Sequence, residues 1–240
     1  MNKHTPEELA PMRHTLSHLM AAAVLEIYPD AKPTLGPAID NGFYYDFDFP
    51  TPIVDTDLKE IQKRMKKMLS KWKEFTHEEV SKEEALKQFA GNEYKQELIN
   101  EIVERGEKIT LYTCGGFTDL CRGGHVEHPS QDIDVDGFKI SHLAGAYWRG
   151  DEKNKMLTRI YGFAFATKED LDIYETQIEE AKKRDHKKLG RELGLFMFHE
   201  TAPGMPYSSR VSCRNFGNPG SLIVAPDTLI KSIELSPCTY

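Results

Sequence analysis

The chain has 240 residues, room for one substantial hydrophobic core or two small ones. Hydrophobic residues make up 39% and charged residues 29%, an ordinary globular balance. No apolar run approaches the ~20 residues of a membrane span, and the opening MNKHTPEELAP lacks a secretory signal, so a cytoplasmic protein with no membrane partner is expected. A net charge of -7 excludes bulk electrostatic attachment to nucleic acid: no DNA partner is expected, and any RNA contact must be local. Four scattered cysteines without a Cys-x-x-Cys pair exclude a disulfide framework.

Thr5-Pro6-Glu7-Glu8 has a capping-box pattern with proline at the first helical position, but Pro11 is expected to limit it to a short turn. The first substantial helix is expected from Pro11 to Tyr28, with Leu16, Leu19, Met20, Ala23, Val24 and Ile27 as its core face and His14 and His18 nearly opposite. Lys32 to Ile39 and Gly42 to Phe49 read as strands joined at Asp40-Asn41-Gly42, an Asn-Gly hairpin, with Phe43, Tyr45, Phe47 and Phe49 on one face. Asp57 to Trp72 reads as an amphipathic helix with a basic outer side. One shorter helix follows with Ser81 and Glu84 as its cap, and another runs from near Asn92 to Gly106 with Lys95 early in it.

Strands are expected at Lys108 to Thr113, Phe138 to His142 and Met156 to Phe165, giving an α+β class with a mixed or antiparallel sheet packed by helices. Thr167 is expected to cap a long charged helix reaching Leu189, whose Lys182 to Lys188 segment is the most basic in the chain. After Pro206 no period can be counted, and no structure is assigned.

His14 and His18 are four apart, on one side of a helix, a spacing that can grip one metal ion or one substrate group. Two exposed surface histidines would give the same pattern. Asp119-Leu120-Cys121-Arg122-Gly123-Gly124-His125 adds a cysteine and a histidine around two glycines, which allow tight turning and close backbone approach. Together these make a possible four-group site of zinc type. A His-Glu-x-x-His protease motif is absent, as is the His-x-Glu with Pro-Cys-x-x-Cys of nucleobase deaminases, so those two classes drop out. Lys95, by itself, reads as a plain surface helix residue, and Asp119 equally as the cap of the Cys121 turn.

The pair His14-x-x-x-His18 and Cys121-x-x-x-His125 resembles the paired signature of the editing domains of threonyl- and alanyl-tRNA synthetases and of freestanding alanyl editing proteins. The stretches Gly36 to Asp46, Ala144 to Asp151, Asn154 to Leu157, Arg159 to Gly162 and Lys183 to Gly190 are similar to bacterial threonyl-tRNA synthetases, over about residues 12 to 206. The resemblance implies a hydrolase for serine wrongly esterified to threonine tRNA, bound by its acceptor end. His14, His18, Lys95, Asp119, Cys121 and His125 would be the site residues. One histidine would orient the attacking water, Lys95 would serve the oxyanion or its protonation, and Asp119 would hold the substrate amine or a catalytic partner. The ligand types would suit zinc at His14, His18, Cys121 and His125, but the threonyl-type site is expected to need no metal.

The resemblance implies an editing domain over residues 1–165, a charged connector helix over 166–195, and a poorly ordered remnant of the opening of the class II core over 196–240. Tyr207 to Cys213 does not continue the family pattern and no ATP motif follows, so the sequence reads as cut off before the class II core and threonine activation is not expected. Alternatives are a freestanding deacylase of alanyl type and an inactive fragment that binds RNA through its basic helices. The sequence sets no oligomeric state.

Overall fold

Thr5 begins the chain's first helix: its hydroxyl accepts the Glu8 amide proton while the Glu8 carboxylate accepts from the Thr5 amide, and Pro6 occupies the first helical position. In the computed structural model, which describes residues 4–194, 196–199 and 202–208, this helix, α1 (Pro6–Ile27), runs straight past Pro11. The expected break is therefore absent. Pro11 deprives only the exposed Glu7 carbonyl of a partner, which water can supply, while the cap holds the first turn and burial holds the rest.

Residues Thr15 to Val24 of α1 are buried on every side. The helix is packed by sheet, by a second helix and by a loop, so its polar side faces protein rather than solvent.

The hairpin at Asp40-Asn41 forms as expected, pairing Ala38 with Phe43 and Ile39 with Gly42. Its first arm divides into β1 (Lys32–Pro33) and β2 (Ala38–Ile39), both paired with β3 (Gly42–Asp48). The division falls at Gly36, where a Cβ would lie 2.0 Å from the Tyr45 ring. Phe43, Tyr45 and Phe47 point into the core, each side chain of this kind contributing about 1.5–3 kcal/mol by leaving water.

Next comes α2 (Asp57–Leu69), packed on α1 through Leu58, Ile61, Met65, Met68 and Leu69. Strand β4 (Thr76–Val80), which lacks apolar alternation, precedes α3 (Lys82–Gln88), capped by Ser81, and α4 (Glu93–Glu104), capped by Asn92. Strand β5 (Ile109–Cys114) pairs antiparallel with both β4 and β6 (Phe117–Leu120) in a three-stranded sheet. One turn, α5 (Pro129–Asp132), leads to β7 (Phe138–Tyr147) and, through a 3-10 turn at Trp148–Gly150, to β8 (Met156–Ala164). These complete an antiparallel sheet ordered β1-β3-β8-β7, with β2 also on β3. Helices over antiparallel sheets make the class α+β, as expected.

Two compact units divide within α6 (Lys168–Lys183): residues 1–177 and 178–240. Thr167 Oγ1 accepts the Asp170 amide proton at the start of α6, as expected. The long helix is interrupted at Arg184-Asp185, after which α7 (His186–Glu192) begins, its Leu189 amide bonded to the Asp185 carbonyl. The Arg184 amide is shared between the carbonyls of Glu180 and Ala181, which tightens the last turn, and aspartate is a favoured starter of the next helix. Within the second unit, β9 (Phe196–His199) pairs antiparallel with β10 (Ala202–Ser208). The remainder assigned to the tail, residues 209–240, lies outside the described residues.

Candidate active site

Helix α1 presents His14 and His18 one turn apart, their Nε2 atoms 3.1 Å from each other. Two hydroxyls fix the helix there. Ser17 Oγ donates to the Gly36 carbonyl at 2.6 Å, and Thr15 Oγ1 accepts from the Val126 amide at 3.2 Å, tying the glycine loop to α1. That loop continues β6: the Cys121 amide bonds the Thr110 carbonyl at 3.2 Å, after which Gly123 and Gly124 adopt φ of +92° and +84°. The turn brings Cys121 Sγ within 3.5 Å of both His14 Nε2 and His125 Nε2. Two pairs of groups more than 100 residues apart in the chain thus meet, every ligand atom of His14, His18, Cys121 and His125 within 4.8 Å of the others.

Behind them lies a second layer that is closed to solvent. His18 Nδ1 is 3.2 Å from Asp119 Oδ2, Tyr45 Oη donates to the same oxygen at 2.6 Å, and Lys95 Nζ sits 2.5 Å from Asp119 Oδ1. Lys95 and Asp119 are each 1% exposed, so neither is a surface residue, and their groups are committed to one another. All six expected site residues therefore occupy one place, but in two shells. His14, His18, Cys121 and His125 form the inner cluster; Lys95 and Asp119 back it.

The charges explain the arrangement. Burial opposes ionisation of Asp119, yet the Lys95 ammonium and the His18 hydrogen bond outweigh it and hold the carboxyl well below the usual range. Burial likewise disfavours a charged His18, but the hydrogen bonds to Asp119 and Cys121 push it up to about 9. For Cys121, burial is overcome by hydrogen bonds from His125, His14 and His18, which bring the thiol down to about 4. Two cations, Lys95 and His18, thus balance two anions, Asp119 and Cys121, within a small enclosed volume. The Cys121 thiolate accepts from His14 Nε2 at 3.5 Å, so a neutral His14 carries its lone pair at Nδ1. Its Nδ1 lies beside Gly124, where an added Cβ would be 4.0 Å away.

Of the cluster, His125 lines a cavity of about 350 Å³, together with Glu74, Phe75, Tyr112 and Glu127 among others. Phe75 stacks on His125 at 4.0 Å between ring centroids. Tyr45, Phe75 and Tyr112 are site residues that the sequence reading missed. For Tyr45 a faint signal existed, a hydroxyl in a stripe of phenylalanines, since a buried tyrosine needs a hydrogen-bond partner.

Zinc would fit the inner cluster by donor type. Three imidazole nitrogens and one thiolate lie within 4.8 Å of one another, and contacts of 3.1 and 3.5 Å among them stand near the ~3.3–3.8 Å expected between tetrahedral ligands, with Asp119 placed to orient His18 from outside. Four protein ligands would close the coordination sphere, leaving no position for water or substrate, which is the pattern of a structural site.

Residues 109–161 match the family described as threonyl and alanyl tRNA synthetase second additional domain. Over this stretch the chain is similar to that second additional domain. It is also 52% identical over 197 residues to a threonine--tRNA ligase of Acetivibrio thermocellus, covering 81% of this chain and 30% of that protein. Threonine--tRNA ligases of Francisella philomiragia and Burkholderia multivorans are each 50% identical over 203 and 204 residues, 84% of this chain and 31 and 32% of theirs. The chain thus spans about a third of the length of these relatives. Within it, the matched region holds Cys121 and His125, while His14 and His18 reach the second additional domain from α1.

Proposed function

We propose that this site hydrolyses the ester joining serine to the terminal ribose of threonine tRNA, removing a mischarged amino acid. Water adds to the ester carbonyl, the acyl carbon–oxygen bond breaks, and serine and a free ribose hydroxyl result. His14, whose Nδ1 lies beside Gly124 of the cavity wall, orients the attacking water directly or through the neighbouring ribose hydroxyl. His125 and the Cys121 thiolate complete the polar wall. Asp119 and Lys95 act as positioning residues: both are enclosed, so they fix His18, and through it His14, rather than touching the substrate amine or the oxyanion.

A synthetic site separates serine from threonine by one methyl, worth about 1–3 kcal/mol, and a second sieve that excludes the methyl corrects the remainder. The observation that carries the reading is the convergence of His14, His18, Cys121 and His125 within 4.8 Å of one another, the last two within a stretch similar to the second additional domain.

Hydrolysis of serine-charged threonine tRNA by this chain, with threonine-charged tRNA as control, tests it. Selective loss of serine, reduced about 100-fold or more by His14→Ala, is expected, in keeping with the contribution of a general base. Equal rates for wild type and His14→Ala would remove the reading.

A further inference from the structure

Strand pairing lines up three side chains across the small sheet. His77 on β4 lies opposite Tyr112 on β5, and Tyr112 lies opposite Asp119 on β6. Residues opposite one another in an antiparallel ladder project to the same face, so the row crosses the strands from the exposed sheet edge to the buried anchor of the site. Its rings are in contact along the way. His77 stacks on Tyr112 at 5.3 Å and 19° between planes, and Tyr112 meets His125 at 5.0 Å.

Tyr112 is locked in this bridging position. A Cβ on Gly123 would lie 2.6 Å from its hydroxyl oxygen, so the ring depends on glycine there. At the outer end His77 is exposed, its imidazole on an edge strand with a face free to solvent.

We propose that this row is a base-stacking track that seats the nucleotide preceding the terminal adenosine while the ester lies at His14. The inference rests on the ester-hydrolase reading above. Flat rings recognise any base through its π-face, which suits a strand held without sequence readout. Two exposed cations stand near the track. Lys108 pairs at 2.7 Å with Glu79, which shares the face of β4 that carries His77, and Arg122 follows Cys121 directly. Exposed ion pairs of this kind contribute little by themselves, so the Lys108 ammonium is free to turn to a phosphate.

The test compares kcat/KM for two synthetic esters, seryl-adenosine and seryl-cytidylyl-adenosine. In wild type the dinucleotide is preferred on the order of 10-fold, the contribution of one stacked base. The preference falls towards one in His77→Ala, and is retained in His77→Phe, which keeps the ring but not its titration, and in Glu78→Ala on the opposite face. A preference unchanged in His77→Ala, or absent from wild type while both esters are cleaved, overturns the track and leaves the hydrolase reading standing. Cleavage of neither ester overturns both.

Discussion

Lys95 Nζ lies 2.5 Å from Asp119 Oδ1, with each side chain 2% exposed, so an ion pair is enclosed directly behind the histidines of the site. Replacing Lys95 with methionine keeps the volume but leaves the buried Asp119 carboxylate with only His18 and Tyr45 as partners. We expect a loss of about 3–5 kcal/mol in stability, measured by urea unfolding, because removing one member of a buried ion pair costs more than the intact pair contributes. The double variant Lys95→Met, Asp119→Leu should lose clearly less than the sum of the two single changes. Additive losses would mean that the pair is not coupled.

Asp119, His18 and Cys121 give stability a defined pH profile. Asp119 is depressed in the fold, so its stabilisation is present above its unfolded value of ~3.9 and is lost as pH falls below it. His18 is raised to about 9, so its stabilisation is complete below an unfolded value of ~6.5 and is lost as pH rises through about 9. Cys121, brought down to about 4, adds stability that is present above its unfolded value of ~8.5 and is lost as pH falls towards 4. Urea midpoints should therefore rise from roughly pH 4 to 6.5 and level off above it, where the His18 loss offsets the Cys121 gain. In His18→Gln the midpoints should go on rising above pH 6.5. A level profile in that variant would mean that another group is responsible.

Gly36 joins two parts of the site. Its carbonyl accepts the Ser17 hydroxyl, while a Cβ would lie 2.0 Å from the Tyr45 ring. Gly36→Ala must push that ring, and with it the Tyr45 hydroxyl on Asp119. Seryl-ester hydrolysis should fall at least ~10-fold, through a displacement on the order of 1 Å in the backing shell. Unchanged hydrolysis would show that Tyr45 does not set the position of the histidines.

Metal dependence separates two uses of the inner cluster. Hydrolysis that relies on His14 and a free thiolate should survive a chelator and be inhibited by added zinc, because zinc would take the groups that bind substrate. Loss of activity on chelation, restored by zinc, would reverse this assignment.

Much of the fold was legible because its signals are local. Thr5, Ser81 and Asn92 cap helices through hydrogen bonds spanning two or three residues, and Asn41-Gly42 turns the hairpin through backbone preference. Strand β4 was not legible, since Thr76 to Val80 are almost all exposed and carry no alternation. Pro11 misled because the cost of a proline depends on which carbonyl loses its partner, and here it is an exposed one.

By itself the sequence determined the chemistry on offer: two imidazoles one helical turn apart, a cysteine and a histidine around two glycines, and the α+β order of elements. These follow from spacing along the chain, where side-chain periodicity is fixed by backbone geometry. Only the tertiary structure decided that α1 is enclosed on all sides, that Lys95 is a buried counter-ion rather than a surface residue, and that Tyr45 and Asp119 form one backing layer. Ionisation depends on desolvation and on neighbours brought from distant parts of the chain, so the charge state of Cys121 and His18 becomes defined only when packing excludes water.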